Sequence, residues 1–308
     1  MSGLEHDVEQ LVAWLDRTGP VAVLSGAGLS TESGIPDYRG PTGAARPATP
    51  MTYQVFTGSL QAQQRYWARS HLGWRTIARA RPNDGHRSVA ALAQRWTGVV
   101  TQNVDGLHGA AAIGAAAIGA AAAGAAAAGA AGTGAAATGA AADVVELHGN
   151  LDRVVCLRCG ELSSREALDQ RLREANPHWS ARVLAVRPDG DVELDDAAGF
   201  HVVACAVCAG TLKPDVVFFG ETVPAERVAR CFALVEGSAG LLVLGSSLTV
   251  MSGYRFVLRA ARLGLALAIV NQGPTRGDDK ADLRLDAPLG AVLTGVVRAT
   301  YGAAHAIP

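Results

Sequence analysis

Four of the five cysteines form two closely spaced pairs suited to binding a metal ion. Cys156 and Cys159 make up one Cys-x-x-Cys turn, and Cys205 and Cys208 make up a second. Two such turns bring four thiolates around one tetrahedral zinc ion, and a closed four-cysteine site leaves no coordination position open for chemistry. We therefore predict one structural zinc ion, against the alternative of four unrelated buried thiols. Cys231 is predicted to be a buried small apolar residue.

A glycine-rich turn follows the first predicted strand and indicates a nucleotide site. Val21–Leu24 is a short apolar run, and Gly26, Ala27 and Gly28 come shortly after it. A buried strand that ends in such a turn before a helix is typical of dinucleotide-binding units. The third glycine, Gly34, comes later than the fingerprint of hydride-transfer dehydrogenases requires. The pattern therefore disfavours a dehydrogenase, and an ordinary tight turn is the alternative interpretation.

Four short apolar runs predict the strands of one parallel sheet. Each run is continuously apolar, as expected for strands that are covered on both faces. Small or polar residues follow each run, and ligands bind at the carboxyl ends of parallel strands. We therefore expect the polar turns to converge on one crevice. The runs are Val21–Leu24, Val99–Thr101, Leu241–Leu244 and Ala266–Val270, and the turns after the last three are Gln102–Asn103, Gly245–Ser247 and Asn271–Gly273.

The predicted fold class is α/β, with a Rossmann-like parallel sheet in a large domain. A helical insertion and a small zinc-binding module interrupt this domain, because the cysteine pairs lie between two of its strands. The large domain is assigned to residues 1–40, 86–149 and 213–308, the helical insertion to 41–85, and the zinc-binding module to 150–212.

A low-complexity insert of alanine and glycine covers residues 109–142. Glycine recurs every five residues from Gly109 to Gly139, and the segment carries no charge. Each interior glycine costs a helix about 1 kcal/mol, and a five-residue period keeps no face aligned on the helical turn. We expect a surface loop, helical in part, without a stable core; a sequence error is the alternative.

Composition narrows the classes of function. The chain has 308 residues and a net charge of −1, so its charge gives no case for nucleic acid or membrane binding. No apolar run of large residues is long enough to span a bilayer, and the first residues do not read as a signal peptide. We predict a cytoplasmic protein without nucleic acid or membrane partners.

Taken together, the motifs resemble those of the sirtuin family, in the family's order. The resemblance covers residues 12–295. Three features are similar to the class II branch as found in bacteria: Tyr38 after Asp37, Tyr66–Arg69 and Ser252–Phe256. The motifs are Gly26–Arg39, Gln102–Asp105, Leu147–Gly149, the two cysteine pairs, Lys213–Glu221, Gly245–Leu248 and Asn271.

The resemblance implies an NAD-dependent protein-lysine deacylase that binds NAD and acyl-lysine proteins or peptides in one cleft. Asp37, Tyr38 and Arg39 would form a mobile flap over the cofactor. The residues implied at the NAD site are Gly26, Ala27, Gly28, Ile35, Pro36, Asp37, Tyr38, Arg39, Gln102, Asn103, Val104, Asp105, Gly245, Ser246, Ser247, Asn271, Gln272, Gly273 and Leu289.

His148 and Asn103 are the catalytic residues that the resemblance implies. The acyl-lysine carbonyl would attack the carbon bearing nicotinamide, and His148 would then deprotonate a ribose hydroxyl. An imidazole suits this role because its ordinary pKa, about 6.5, lies near working pH. The products would be free lysine, nicotinamide and acylated ADP-ribose. The substrate peptide would lie between Val216, Val217, Phe218, Phe219 and Gly220 on one side and Ser247, Leu248 and Val250 on the other.

Other candidate residues receive smaller roles. We predict a structural role for His108, a helix cap at His86, and surface positions for His6, His71, His178, His201 and His305. Tyr66 and Arg69 have the spacing of a pair that binds acidic acyl groups in some sirtuins, with the arginine on the carboxylate.

Three competing functions stay open at this stage. An NAD-dependent protein ADP-ribosyltransferase would use the same cofactor and cleft. A catalytically weak NAD-binding scaffold would lack His148 or the pair Asn103 and Asp105, but all three residues are present. A zinc-ribbon nucleic acid binder would need a basic, aromatic face, whereas the zinc-binding module contains many acidic residues.

Overall fold

The structure, a computed structural model, describes residues 3–37, 50–116, 143–186 and 192–302. Six parallel strands form its main sheet, in the order β11-β10-β9-β1-β2-β3. The strands of the described residues are β1 Val21–Ser25, β2 Trp96–Thr101, β3 Val144–Glu146, β4 Gly149–Cys156, β5 Leu162–Ser164, β6 Val183–Val186, β7 Val192–Leu194, β8 Leu212–Val216, β9 Gly240–Leu244, β10 Ala266–Val270 and β11 Leu283–Leu285.

Nine α-helices lie within the described residues, and several of them cover both faces of this sheet. The helices are α1 Gly3–Thr18, α2 Tyr53–Gly58, α3 Leu60–Arg79, α4 Asp84–Ala91, α5 over residues 107–116, α6 Arg165–Ala175, α7 Ala225–Glu236, α8 Met251–Leu263 and α9 Leu289–Tyr301.

The alternation of side chains along β1 shows how the sheet is buried. Val21 and Val23 pack in one core with residues of α1, α4 and α9. Ala22 and Leu24 point to the other face, where they pack with α7 and α8. Successive strand side chains point to opposite faces, so continuous apolar runs are needed where helices cover both. The fold class predicted from the sequence is therefore confirmed.

The register of the sheet aligns the ends of its strands. Ser25, the last residue of β1, pairs with Thr101 of β2 and with Leu244 of β9. Leu244 in turn pairs with Val270, the last residue of β10. The four turns that follow these strands therefore leave the sheet along one edge, at the same level.

The two inserted segments share a third core. β4 pairs antiparallel with β5 and with β8, and β6 pairs with β7. Phe56 and Trp67 from the helical insertion pack in the same cluster as Leu168 and Leu172 of α6 and Cys156 of β4. The cysteine-bearing segment and the helical insertion thus stabilise one another. The exact domain boundaries stay a prediction.

The surface position predicted for His71 and the helix cap predicted at His86 are both wrong. His71 is buried, and its Nδ1 lies 2.8 Å from Asp169 Oδ1. His86 is also buried, inside α4, where Asn83 caps the helix and accepts a hydrogen bond from the His86 backbone N–H. The partner of His71 comes from a distant part of the chain, and the cap of α4 is Asn83 rather than His86. The helical pattern of the sequence alone does not reveal either contact. His6, His178 and His201 are exposed, and His305 lies outside the described residues.

The repeat is described only at its start. Residues 107–116 are helical, whereas 117–142, which hold most of the alanine and glycine repeat, lie outside the described residues. Among the helices that the structure describes, none combines the length and the apolar character needed to cross a membrane.

Candidate active site

A cavity of about 990 Å³ lies at the carboxyl edge of the main sheet. The turns after β1, β2, β9 and β10 all line it, so the strand-end crevice expected from the sequence exists. Tyr38 and Arg39, the rest of the expected flap, lie outside the described residues. The other residues expected at the NAD site line the cavity: Gly26, Ala27, Gly28, Ile35, Pro36, Asp37, Gln102, Asn103, Val104, Asp105, Gly245, Ser246, Ser247, Asn271, Gln272, Gly273 and Leu289.

The glycine-rich turn packs tightly on the turn after β9. The Gly28 backbone N–H donates to Gly245 O at 2.9 Å. A Cβ atom at Gly26 would lie 2.7 Å from Ser246 Cβ, and one at Gly28 would lie 3.0 Å from Gly245 Cα. Side chains at either position would separate the two turns. Packing between the two turns therefore requires glycine at both positions, whether or not a ligand also approaches them closely.

A hydrogen-bonded cluster fixes the polar side chains of the turn after β2. Asn103 Nδ2 donates to Gly26 O and to Ser30 Oγ, both at 3.0 Å. Ser30 Oγ donates to Asp105 Oδ2 at 2.7 Å. Burial raises the pKa of Asp105, and the hydrogen bond from Ser30 opposes that rise. Ser30, which sequence reasoning missed, thus links Asn103 to Asp105 at the cavity wall.

Two neutral histidines, His86 and His108, lie next to this cluster on the side away from the cavity. His108 Nε2 lies 2.8 Å from Ser25 Oγ, and its ring centroid is 5.1 Å from that of His86. Burial lowers the pKa of His108 to about 4, and burial also lowers that of His86. Both rings are therefore neutral near pH 7, and neither lines the cavity. This geometry supports the structural role expected for His108.

His148 lies in the two-residue connection between β3 and β4 and lines the cavity. Its Nδ1 is 2.9 Å from the backbone oxygen of Gln102, and its Nε2 is 2.8 Å from Ser252 Oγ. A carbonyl oxygen only accepts hydrogen bonds, so Nδ1 carries the proton and Nε2 offers its lone pair. The ring is therefore held in one tautomer with its basic nitrogen towards Ser252.

The surroundings of His148 favour its neutral form. Burial lowers its pKa below the ordinary value of 6.5. The hydrogen bond to Gln102 opposes this effect, whereas the positive charges of Arg227 and Arg255 add to it. The imidazole is consequently deprotonated at neutral pH, as a general base must be.

The segment after β8 forms the opposite wall of the cavity. The Val217 backbone N–H donates to His148 O at 2.8 Å, which ties this wall to the histidine. Leu248 faces it from the turn after β9, with a left-handed φ of 56° and a buried side chain. The residues expected to hold the peptide all line the cavity: Val216, Val217, Phe218, Phe219, Gly220, Ser247, Leu248 and Val250.

A buried lysine stabilises that wall. Lys213 Nζ donates to Pro214 O at 3.2 Å, to Val216 O, and to Glu221 Oε2 at 3.1 Å. Glu221 Oε2 also accepts from the Phe218 backbone N–H at 2.8 Å. Burial lowers the pKa of Lys213, and the charge of Glu221 counteracts this. The ion pair therefore fixes both ends of the segment that lines the cavity.

The pair Tyr66 and Arg69 does not act together at the cavity. Tyr66 lines it, but Arg69 lines a neighbouring groove, where its Nε donates to Val192 O at 2.9 Å. The hypothesis that this pair binds an acidic acyl group is not supported. Arg255 lines the cavity instead, and sequence reasoning did not assign it or Ser252 a role. Both residues lie in Ser252–Phe256, which resembles a segment of the class II branch, and this resemblance was the sequence feature that could have pointed to them.

The four predicted zinc ligands converge at the far end of β4. Their sulfur atoms all lie within 4.8 Å of one another, with Cys156 Sγ 3.5 Å from Cys208 Sγ and Cys159 Sγ 3.9 Å from Cys205 Sγ. The residues after each second cysteine, Gly160 and Ala209, have positive φ values of 74° and 58°. Four thiols in two tight turns fit a tetrahedral structural zinc ion.

Sequence comparison identifies the family. The Sir2 family model matches residues 26–120 and 134–252, which is more than half of the chain. The chain belongs to the Sir2 family. This membership confirms the resemblance to the sirtuins drawn from the motifs.

Curated relatives cover nearly the whole chain. It is 56% identical over 284 residues to NAD-dependent protein deacetylase 1 of Streptomyces coelicolor, covering 91% of this chain and 86% of that protein. It is 48% identical over 273 residues to NAD-dependent protein deacetylase 1 of Mycobacterium avium, covering 86% of each chain. It is 43% identical over 301 residues to NAD-dependent protein deacetylase of Bordetella bronchiseptica, covering 96% of this chain and 100% of that one.

Solved structures agree with this assignment. A Sir2 protein in complex with a p53 peptide and NAD⁺ is 26% identical, with a TM-score of 0.63, and covers 95% of this chain and 98% of that chain. A Sir2 variant with a deacetylated p53 peptide and 3′-O-acetyl ADP ribose is 25% identical, with a TM-score of 0.69, over 96% of this chain and 98% of that one.

Proposed function

We propose that the protein is an NAD-dependent protein-lysine deacetylase. The observation that carries this proposal is the position of His148. Its unprotonated Nε2 lies at a cavity whose walls are the strand-end turns on one side and the Val216–Gly220 segment on the other. The curated relatives named as NAD-dependent protein deacetylases support the same activity.

The strand-end turns are suited to hold NAD. When bound, NAD supplies the ribose that accepts the acyl group as nicotinamide leaves. Asn103 and Asp105 are held by Ser30, so they present fixed hydrogen-bonding groups at the turn after β2. The Gly26–Gly28 turn lines the same cavity, where its small residues allow an anionic group to approach the backbone closely. We assign nicotinamide and its ribose to Asn103 and Asp105, and the pyrophosphate to the Gly26–Gly28 turn.

His148 provides the base. Its neutral ring accepts a proton at Nε2 as a ribose hydroxyl is deprotonated, while Nδ1–H stays bonded to Gln102 O. The resulting imidazolium is accommodated because the Gln102 carbonyl opposes the lowering of its pKa. Fixed orientation matters here, because a general base acts only within hydrogen-bonding distance of its proton.

The acyl-lysine peptide is proposed to lie as a strand between the Val216–Gly220 segment and the Ser247–Val250 turn. Main-chain pairing there gives affinity with little choice of sequence. The Lys213 and Glu221 pair keeps the first segment in place. Replacement of Lys213 is therefore expected to raise KM for the peptide more than it lowers kcat.

The remaining assignments concern organisation and location. We propose that Cys156, Cys159, Cys205 and Cys208 bind one structural zinc ion in a module of residues 150–212. The helical insertion is placed at residues 41–85, and the large NAD-binding domain comprises the remaining segments. We further propose a cytoplasmic protein, because free thiolate ligands stay reduced in that compartment.

The proposed function is tested with a panel of acyl-lysine peptides. The protein is incubated with NAD and peptides that carry acetyl, propionyl, longer apolar or acidic acyl groups, and nicotinamide release is measured. We expect release that requires an acylated peptide and is highest with acetyl-lysine, the substrate class that the names of the curated relatives indicate. Equal release with and without acylated peptide would contradict the proposal.

The pH profile follows from the environment of His148. Because only neutral imidazole acts as a base and the pKa of His148 is lowered, the acid limb of kcat/KM should have an inflection below pH 6.5. Arg255→Gln removes a positive charge that lowers this pKa, so the inflection should move to higher pH. Arg262→Gln, an exposed arginine on the same helix, is the control. An inflection that is the same in both variants would contradict this reasoning.

A further inference from the structure

Ser252 lies within hydrogen-bonding distance of the basic nitrogen of His148. Its Oγ lies 2.8 Å from His148 Nε2, and the residue also lines the cavity. Since Nε2 carries the lone pair, the hydroxyl of Ser252 donates this hydrogen bond. An unprotonated imidazole nitrogen has one lone pair in the ring plane. A ligand hydroxyl therefore cannot donate well to the same nitrogen while Ser252 does.

The fold brings Ser252 to this position through a close approach of α8. Gly253, the next residue, lies so near the turn after β2 that a Cβ atom there would be 2.3 Å from Gln102 Oε1. Gln102 is in turn fixed, because its Nε2 donates to Ser246 Oγ at 2.9 Å and its backbone oxygen holds His148 Nδ1. The first turn of α8 and the histidine are thus held against the same glutamine. The contact between Ser252 and His148 follows from that packing.

We propose that Ser252 relays the proton from the ribose hydroxyl to His148. The inference rests on the proposed function and adds a residue to it. The ribose O–H bond breaks as its proton moves to Ser252 Oγ, and the Ser252 O–H bond breaks as its own proton moves to His148 Nε2. The ribose oxygen keeps the electron pair of its O–H bond for attack, the imidazole becomes imidazolium, and Ser252 ends as a neutral hydroxyl. No oxidant or further reactant is needed.

A matched pair of variants tests the relay. Ser252→Thr keeps a hydroxyl, whereas Ser252→Val has the size and shape of the threonine variant without one. Two activities are measured on each: formation of deacetylated peptide, and peptide-dependent exchange of labelled nicotinamide into NAD. Exchange uses only the first step, which needs no base. The threonine variant is expected to retain most of its turnover, whereas the valine variant should lose about 10²-fold in kcat, a typical effect of losing acid–base assistance.

The exchange activity separates the relay from a structural role. Both variants should exchange nicotinamide at close to the wild-type rate, because cofactor and peptide still bind. A valine variant that forms product as fast as the threonine variant would overturn the relay, since the ribose would then give its proton to Nε2 directly. Parallel loss of exchange and product formation in the valine variant would also overturn it, because the defect would lie in binding. Failure of the wild-type protein in both assays would instead reject the proposed function.

A measurement without NAD checks the contact itself. Nitrogen-15 spectra of the free protein report whether each imidazole nitrogen carries a proton and accepts a hydrogen bond. We expect His148 to show a protonated Nδ1 and a hydrogen-bonded, unprotonated Nε2, with the Nε2 signal shifted in the valine variant but not in the threonine variant. Identical Nε2 signals in the two variants would contradict the contact.

Discussion

Replacement of His148 by alanine is expected to lower the rate of peptide deacetylation by about 10³-fold, within the range for loss of a general base. The acyl oxygen still attacks without the imidazole, so the first step should persist. Peptide-dependent exchange of nicotinamide into NAD should therefore fall much less than product formation. The two rates are measured on the same preparation, with NAD and peptide both saturating.

His178→Ala provides the matched control, because His178 is an exposed histidine that does not line the cavity. It should leave both rates unchanged. If His148→Ala reduced exchange and deacetylation equally, the imidazole would be serving to bind substrates or to maintain the fold. If it reduced neither, another residue would be the base.

Loss of the metal site is expected to have the largest effect on stability. Cys205→Ser removes one of four thiolates whose sulfur atoms lie within 4.8 Å of one another. Structural zinc contributes about 10–16 kcal/mol to small zinc-dependent folds, so a three-ligand site should bind poorly and leave the module unfolded. Cys156 belongs to the same core as Phe56 and Trp67, so the helical insertion should lose its packing too. Metal content and thermal unfolding measure both effects.

Cys231→Ala is the control for a cysteine change as such. Cys231 is buried between α7 and the sheet, away from the four-cysteine cluster, and burial raises its pKa to about 12. This variant should keep a full complement of zinc and lose only the small packing energy of one sulfur atom. A Cys205→Ser protein with unchanged zinc content and unfolding temperature would contradict the assignment of a structural metal site.

Local sequence patterns were sufficient to predict four of the six strands of the main sheet and the turns that line the cavity, but not the edge strands β3 and β11. Continuous apolar runs such as Leu241–Leu244 identify strands that are covered on both faces, and the observed β9 extends that run by only one residue. The carboxyl ends of parallel strands share an edge whatever the strand order. The turns after these strands therefore had to meet, even though apolar runs alone do not determine the order β11-β10-β9-β1-β2-β3.

Contacts between distant segments could not be predicted in this way. His71 meets Asp169 across 98 positions of the chain, and His148 meets Ser252 across 104. No periodicity or short spacing records such pairs, because they depend on how α3 packs on α6 and how α8 approaches the turn after β2. Arg69 shows that a matching spacing can also mislead. Its spacing from Tyr66 fits a known substrate-binding pair, but its side chain lines the neighbouring groove rather than the cavity. Spacing identifies chemistry only where the local backbone decides the direction of the side chain.

The products of one complete reaction test the central claim most directly. The protein is incubated with NAD and a peptide carrying a single acetyl-lysine, and all products are identified and quantified by mass spectrometry. We predict equal amounts of deacetylated peptide, nicotinamide and acetylated ADP-ribose, with none of them formed when NAD is omitted. Free acetate without NAD consumption, or ADP-ribose attached to protein while the peptide keeps its acetyl group, would contradict the account.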